Sequence, residues 1–505
     1  MSERASIERE VKLGVWPGYE LPDLADLLAG RSAVAGAEQL LEAVYYDTAD
    51  LRLLRRGVTL RFRRGEPSGD VWTAKLPAGA PAVGLARREI TVAGRASSMP
   101  ERLADLVRGW ALGASLLRVA RLRTVRRRTT LFGTDDRPLA QLDDDEVSIL
   151  RGSRVAARFR ELEVELADDA PVKLLSRLAD RLHDSGAQPV EQIPKLVRAL
   201  GPPALAPWEL DAPELSARPT AAQLVQEGLL AAAGRLADHY AAVVLDEDPE
   251  GVHQARVGIR RLRSDVRTFA GLLDRDALRP LRDELGWLGG ELGAVRDLDV
   301  LLAGLRADAE NLDRNDQPGS AELLGRLAGQ RATAYGELLE ALRSPRCATL
   351  LENVLVLVSA PPFASPGAER PAAEVVPTLV RGPLRKLRRE GDRLGRSPDD
   401  AALHRVRILA KRLRYATDVA APLAGKRAHG AARALAQLQD VLGEHNDACV
   451  ALTRLRALAQ DATPAGVWAS GLLGGLQITR AAERRTQFRA VYRDALAKSR
   501  WKWIH

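Results

Sequence analysis

A chain of 505 residues is too long for one hydrophobic core and reads as two or more domains. With 46% apolar and 28% charged residues it is globular rather than disordered, and aromatics at 4% leave aliphatic side chains to fill the cores. A formal charge of +8, spread over 75 basic and 67 acidic residues, is a modest bias toward polyanionic partners, so the placement of charge must decide function. Cys347 and Cys449 are the two cysteines and stand in no CxxC or Cys/His spacing, which excludes a disulfide framework and a zinc signature and fits a reducing compartment. The polar opening MSERASIEREVK reads against a secretory signal, and no apolar run reaches the ~18 residues of a membrane span. The expected location is the cytoplasm, with no membrane partner.

The first 200 residues alternate apolar and polar side chains in short runs: IEREVKLGV, GVTLRFRR, DVWTAKL, AVGLARREITV, TVRRRTTLF, PLAQLDDDEVSIL and RFRELEVELA. Period-two alternation between Gly, Pro and Asp predicts antiparallel strands with one buried face. Helices are predicted near residues 21–30, 36–43, 100–108 and 172–185. The Pro-rich, aperiodic stretch GPPALAPWELDAPELSARP predicts a linker over 202–218, dividing a domain of residues 1–201 from one of 219–505. Beyond it nearly everything has the 3.6-residue period of long helices, interrupted by a Pro-containing stretch around 359–377.

Charge on the strands keeps to one face. Glu8, Glu10 and Lys12 share one side while Ile7, Val11 and Leu13 share the other, and Arg61 with Arg63, and Glu161, Glu163 and Glu165, repeat the arrangement. Lys75, Arg87, Glu89, Arg126, Arg128 and Asp143 extend it to most of the remaining strands. Two architectures fit: an open sheet with the charged face in solvent, or a closed barrel with the charges inside. The second requires a ligand, because unpaired buried charges cost several kcal/mol each. Carboxylates suit a hard cation such as Mg²⁺ or Mn²⁺, and Arg forks suit phosphate oxygens.

The ExExK run from Glu8 to Lys12, YYDT at Tyr45–Thr48, LRFR, TAKL at Lys75, RRE at Arg87–Glu89, the QLD segment ending at Asp143, ELEVE from Glu161 and PK at Lys195 stand in one order over the N-terminal part. In this order they resemble the CYTH superfamily, the triphosphate tunnel metalloenzymes that include thiamine triphosphatases, inorganic triphosphatases and class IV adenylate cyclases. The resemblance implies a closed antiparallel barrel in an α+β chain. It further implies that Lys12, Arg61, Arg63, Lys75, Arg87, Arg126, Arg128 and Lys195 hold phosphates, that Glu8, Glu10, Glu161 and Glu163 hold metal with Glu165 continuing that row, and that Glu89 and Asp143 lie in the tunnel. Pro194 replaces the serine common before the last lysine, and Arg127 adds a charge whose face the pattern does not fix.

The helical half contains a duplication. VHQARVGIRRLR from Val252 matches LHRVRILAKRLR from Leu403, and LGWLGGELGAVRDLDVLL from Leu285 matches LAQLQDVLGEHNDACVAL from Leu435. Same order at nearly the same offset predicts two pseudo-symmetric helical bundles. His253, Arg256, Arg260, Arg263 and Arg267 fall within a stripe of roughly 80° and about 21 Å long. His404, Arg407, Lys411 and Arg414 repeat it, and Arg381, Arg385 and Arg388 offer a third basic helix. Like charges at i and i+4 cost some tenths of a kcal/mol per pair, so bound anions are expected to offset the repulsion. This half resembles a CHAD domain, which implies binding of inorganic polyphosphate.

The expected function is metal-dependent hydrolysis of a triphosphate, inorganic triphosphate foremost, coupled to polyphosphate docking and association with polyphosphate granules. The alternatives are a non-catalytic granule-associated binder and a nucleotide enzyme, either an adenylate cyclase or a nucleoside triphosphatase. Nucleic-acid binding is disfavoured because few aromatics accompany the stripes to stack bases.

Overall fold

The computed structural model describes residues 3–24, 27, 33–77, 85–133, 136–167, 169–190, 193–395 and 397–504. The chain divides into two compact units, Met1–Glu209 and Leu210–His505. The strands of the first are β1 (Glu3–Val15), β2 (Ala33–Ala35), β3 (Gln39–Asp47), β4 (Thr59–Arg64), β5 (Val71–Pro77), β6 (Leu85–Ala93), β7 (Leu117–Phe132), β8 (Pro138–Arg151), β9 (Arg154–Leu166) and β10 (Gln188–Pro189). Its helices are α1 (Arg52–Arg55), α2 (Glu101–Ala111), α3 (Val172–Asp184) and α4 (Lys195–Leu200).

Antiparallel pairing runs β1-β6-β5-β4-β3-β7-β8-β9 and returns from β9 to β1, closing eight strands into a barrel, with β10 added to β1 and β2 to β7. Closure rests on the β1–β9 ladder, which sets Val11 against Val164 and Leu13 against Leu162. Those apolar residues point outward and bury against Leu174, Leu175, Leu178 and Leu182 of α3. The polar faces therefore point inward, and the closed alternative is the one the chain adopts. Toward one end the inward face turns apolar: Ala43, Leu122 and Val147 pack with Leu54, Leu196 and Val197 of α1 and α4, which plug the barrel there.

Two sequence expectations are corrected here. Residues 36–43 form no helix; Gln39–Asp47 is strand β3, paired with β4 and β7. Its side chains alternate, Leu40 exposed and Leu41 buried, and two ladder partners outweigh the helix-like spacing of QLLEA. The Pro-rich stretch is not free at its start either, since Pro202–Leu205 forms a short 3₁₀ turn and Trp208 is buried under the Arg56 guanidinium, 4.8 Å from its ring centre. Glu209 pairs with Arg55 at 3.0 Å, so the chain stays attached to the barrel through that residue. Most of the helix expected over 21–30 lies outside the described residues; the helices expected near 100–108 and 172–185 are α2 and α3.

The second unit comprises α5 (Ala221–Leu245), α6 (Pro249–Thr268), α7 (Arg279–Ala309), α8 (Gln317–Arg343), α9 (Pro345–Ser359), α10 (Ala372–Asp392), α11 (Asp400–Ala459) and α12 (Pro464–Ala495). The long α11 breaks at Gly425, whose φ of 55° and ψ of −138° are not helical, so it is two helices in succession. The duplicated segments then fall on α6 and α7 in the first repeat and on the two arms of α11 in the second. The starts of α5 and α10 are joined reciprocally: Ala221 N–H donates to the Arg370 carbonyl and Ala372 N–H to the Pro219 carbonyl, both at 2.9 Å. That exchange is what a local pseudo-twofold axis produces. Among the described residues no helix is long and apolar enough to cross a membrane.

Candidate functional site

The inward face of the barrel encloses a cavity of about 290 Å³, near the lower end of the ~300–1,000 Å³ usual for small-molecule sites, which suits a compact anion. It is lined by Lys12, Arg61, Arg63, Lys75, Arg87, Arg126, Arg128 and Lys195, and by Glu8, Glu10, Glu66, Glu89, Asp143, Glu163 and Glu165. Strands β4 and β9 stand four places apart in the ring of eight, so the Arg61 and Arg63 wall faces the glutamate row across the tunnel.

The two walls are wired differently. Around β7–β9 every cation is committed: Arg126 reaches Asp143 at 2.5 Å, Asp145 at 2.6 Å and Glu163 at 3.3 Å, and Arg128 forks onto Asp143 at 2.6 and 2.8 Å. Lys195, carried in on the plug helix α4, contacts Asp145 and Glu161 at 2.9 Å and Glu163 at 2.7 Å. Glu161 is also held by Arg198 at 2.6 Å and does not line the cavity. The resemblance assigns Glu161 to metal; the geometry makes it a support for Lys195 and Arg198. Lys12 is in contact with Glu163 and lies 3.5 Å from Glu10. Lys75 bridges Glu8 at 2.5 Å and Glu89 at 3.1 Å.

The opposite wall is paired more sparsely. On β4, Arg61 has Tyr45 Oη at 3.4 Å and Glu89 at 3.8 Å and Arg63 has Glu66 at 2.9 Å; Arg87, on β6 and directly across the ladder from Glu8, donates to the Gly57 carbonyl at 2.5 Å. Burial, and then the neighbouring Arg61 charge, push the Arg63 pKa down to about 10. Arg61, by contrast, is raised against its burial by Tyr45 and Glu89, so a phosphate chain on this wall would chiefly compensate Arg63.

The carboxylates of β1 and β9 show the converse strain. Glu10 and Glu165 are direct cross-strand partners, an arrangement that disfavours two negative charges. Burial, opposed by Lys75 and reinforced by Glu89 and Glu165, pushes Glu8 up to about 8; burial, with Glu10, Glu89 and Asp143 outweighing Lys75, pushes Glu165 up to about 7. Oε1 of Glu10 is buried, with the Lys12 ammonium 3.5 Å away. Against their burial, Lys12 keeps Glu10 below its ordinary value and Lys12, Lys195 and Arg126 keep Glu163 well below it, so the row mixes ionised carboxylates with two that resist charge, a donor set that fits a hard divalent cation. Arg127, by contrast, faces outward, half exposed and 3.0 Å from Glu38.

Sequence reasoning missed Tyr45, Glu66, Asp145 and Arg198. Asp145 was findable: strand parity puts Asp143 and Asp145 on one face, and Asp144 on the other, where it holds Arg160 at 2.7 Å.

In the helical unit the stripes converge. Arg256, Arg260, Arg407 and Lys411 lie in electrostatic reach of one another; burial, then Arg407, Arg260 and Arg256, push Lys411 down to about 8. Burial and the same arginines lower Arg407, whose Nε is buried without a hydrogen-bond partner. His253 is lowered by burial, Arg296 and this cluster, so it stays neutral at pH 7. Arg267 adjoins Arg412, Arg282 and Arg263. The nearby acids are Asp297, 3.0 Å from Arg256, and its repeat counterpart Asp447. Arg260 donates to Tyr415 Oη at 2.6 Å, Arg414 to Gln439 at 3.1 Å, and His404 contacts Asn446 at 2.8 Å. The third basic helix does other work. Arg381 donates twice to the Ile504 carbonyl and Arg388 to that of Leu496, fastening the C-terminal segment, while Arg385 is exposed.

A model described as CYTH domain matches residues 6–196, and one described as CHAD domain matches residues 227–456. Two uncharacterized proteins of Mycobacterium tuberculosis, from strains CDC 1551 / Oshkosh and ATCC 25618 / H37Rv, are each 30% identical to the chain over 514 aligned residues, covering 96% of either sequence. The chain is a CYTH–CHAD protein. Similar solved structures include the CHAD domain from the plant Ricinus communis, 30% identical over 58% of this chain and 97% of that one with a TM-score of 0.49. PptA from Streptomyces chartreusis is 25% identical over 54% and 99%, with a TM-score of 0.46. A putative adenylyl cyclase from Hippeastrum, described as having a dominant triphosphatase activity, is 18% identical over 39% and 98%, with a TM-score of 0.24. Membership places the barrel of this CYTH–CHAD protein in the triphosphate tunnel family, whose members act as triphosphatases or cyclases and generally use divalent metals.

The raised carboxyls fix a pH dependence. Glu8 and Glu165 keep protons to higher pH in the folded tunnel than at their ordinary value of 4.5, so their contribution to stability is intact below pH 4.5 and is lost as pH rises through about 7 to 8. Adding Mg²⁺ at pH 7 should therefore release about one proton per chain and raise the thermal midpoint. Calorimetry in buffers of different ionisation enthalpy measures the release, and Glu8→Gln should diminish it; binding without proton release would show that the carboxylates are already ionised.

Proposed function

We propose that the CYTH barrel hydrolyses a triphosphate, inorganic triphosphate foremost, as a chelate with Mg²⁺ or Mn²⁺, and that the CHAD unit docks inorganic polyphosphate. The observation that carries the first part is a closed tunnel that sets the buried Arg61 and Arg63 of β4 across from a row of buried carboxylates on β1 and β9, two of which, Glu8 and Glu165, resist ionisation. Glu8, Glu10 and Glu165, with Glu163 adjoining, would hold the cation, and a divalent ion there would neutralise charge on the phosphate oxygens.

The protein's own part is positioning and charge. Arg61 and Arg63 of β4 bind the non-bridging oxygens, and Arg87, Lys12, Lys75 and Lys195 supply further positive charge around them. Water attacks the terminal phosphorus in line, the bond to the bridging oxygen breaks, and diphosphate leaves with that bond's electron pair. A carboxylate of the β1–β9 row orients the water and its proton. No Cys or His lines the cavity among the described residues, and its two serines, Ser6 and Ser68, are exposed with no histidine among the lining residues to activate them, so the reading is direct displacement rather than a phosphoenzyme.

Phosphate release should be measured from triphosphate, long-chain polyphosphate, thiamine triphosphate and ATP, each with Mg²⁺ and Mn²⁺. Release from triphosphate should dominate, and Glu8→Gln combined with Glu10→Gln should reduce it at least a hundredfold without loss of the β signal in circular dichroism. Retained activity at saturating metal would sink the assignment, and cyclic nucleotide or preferred ATP turnover would move the enzyme to the nucleotide class.

For the helical unit, the support is the confluence of Arg256, Arg260, Arg407 and Lys411 with acids too few to balance them. Arg407→Glu with Lys411→Glu should weaken long-chain polyphosphate binding at least tenfold, flatten its salt dependence and leave triphosphate turnover unchanged. A salt-dependent titration decides this: equal affinity in a folded double variant would return the stripes to the role of solvated helix faces.

A further inference from the structure

His445 and Cys449 lie one turn apart on the second arm of α11, an i, i+4 pair that points to one side of the helix. The sequence reading found no Cys/His spacing; this pair is one, and the fold completes it by bringing Asp400, from the first turn of α11, onto the same spot. Asp400 Oδ1 is 3.2 Å from His445 Nε2, and Cys449 Sγ is 4.0 Å from that nitrogen. One donor atom from each lies within 4.8 Å of the others. His445 is 3% exposed and Asp400 57%, so the trio opens to solvent through the carboxylate, in a surface cavity of about 300 Å³ that His404 also lines.

We propose that Asp400, His445 and Cys449 bind one transition-metal ion, Zn²⁺ being the best-matched species, with a fourth position open to water or a ligand in the cavity. A set of one carboxylate, one imidazole and one thiolate is too soft for Mg²⁺ or Ca²⁺ and suits Zn²⁺, which separates this site from the all-carboxylate cluster of the tunnel. Tetrahedral zinc with bonds of about 2.0–2.1 Å to O and N and about 2.3 Å to S places neighbouring donors roughly 3.3 to 3.6 Å apart. The carboxylate–imidazole edge, at 3.2 Å, is already near that length, and the sulfur–imidazole edge, at 4.0 Å, needs to close by about half an ångström.

Burial lowers His445, favouring the neutral imidazole that ligates metal, whereas burial and the Asp400 carboxylate push the Cys449 thiol up to about 11. Binding thus forms a metal–sulfur bond and sends the thiol proton to solvent, so affinity increases with pH. Arg485 of α12 already contacts Asp400 and would orient it from outside the coordination sphere. A metal here would pin the start of α11 to its own second arm, next to His404, where the second basic stripe begins.

Cobalt reads the site separately from the tunnel, because a carboxylate cluster gives no thiolate-to-metal charge-transfer band. The full chain, stripped of metal and reduced, should develop that band with Co²⁺, saturate at one equivalent, and lose it to Zn²⁺ but not to excess Mg²⁺. Cys449→Ser should abolish the band, the buried Cys347→Ser should keep it, and His445→Gln should weaken Co²⁺ at least tenfold. Absence of the band in the wild type, or its survival in Cys449→Ser, overturns the proposal. Should Cys449→Ser fail to fold, alkylation of the wild type followed by mass spectrometry replaces it: Zn²⁺ must protect Cys449 at least tenfold, and equal labelling with and without metal refutes the site.

Discussion

Like charges turned toward one another inside a closed sheet are the constraint on which the N-terminal unit depends. Once β1 pairs with β9, side-chain parity gives no choice: the alternate residues that are not buried against α3 must enter the tunnel. Buried ions need partners, and the β7–β9 side supplies them in a dense lattice around Arg126, Asp145, Glu163 and Lys195. That lattice is rigid because each of its cations touches more than one carboxylate. Elsewhere in the tunnel the balance is incomplete at particular groups, with Arg63 of β4 lowered by burial and Arg61, and Glu8 and Glu165 of β1 and β9 resisting charge. The proposed metal–phosphate chelate would answer both.

The helical unit meets the same electrostatic problem without closure. Its duplicated helices bring Arg256 and Arg260 to Arg407 and Lys411, and burial, with repulsion from these arginines added to it, lowers the proton affinity of Lys411. Here the counter-charges are few, and Asp297 is two-thirds exposed, so its attraction is screened by solvent. A surface of this kind favours long, flexible polyanions over a single small one. Short triphosphate in the tunnel and longer chains on the helices are therefore complementary readings of one charge logic.

Much of this was legible in the chain. Strict alternation told which side of each strand carries charge, and every residue that the CYTH resemblance put in the tunnel except Glu161 lines the cavity. The repeated HxxR blocks marked equivalent helices. Illegible parts share a cause, which is dependence on distant partners. Residues 36–43 looked helical because QLLEA lacks clean alternation, and only pairing with β4 and β7 makes Gln39–Asp47 a strand. Trp208 sat in an aperiodic stretch, yet Arg56 covers it. Arg381 and Arg388 looked like anion ligands, but the C-terminal carbonyls that occupy them are more than a hundred residues away in sequence. Asp400 gave no sign of meeting His445 until the two arms of α11 folded back.

The most direct test of the central claim is the thermodynamic coupling between triphosphate and metal in the tunnel. Affinity for triphosphate should be measured by calorimetry on the Glu10→Gln variant, to suppress turnover, and on wild type at low temperature, each with and without a divalent cation that supports binding. If the two ligands form one chelate across opposing walls, each should tighten the other by the same factor, at least tenfold in the wild type and much less in Glu10→Gln. Equal triphosphate affinity with and without metal would contradict the account, for then the carboxylate row and the arginine wall serve separate ends.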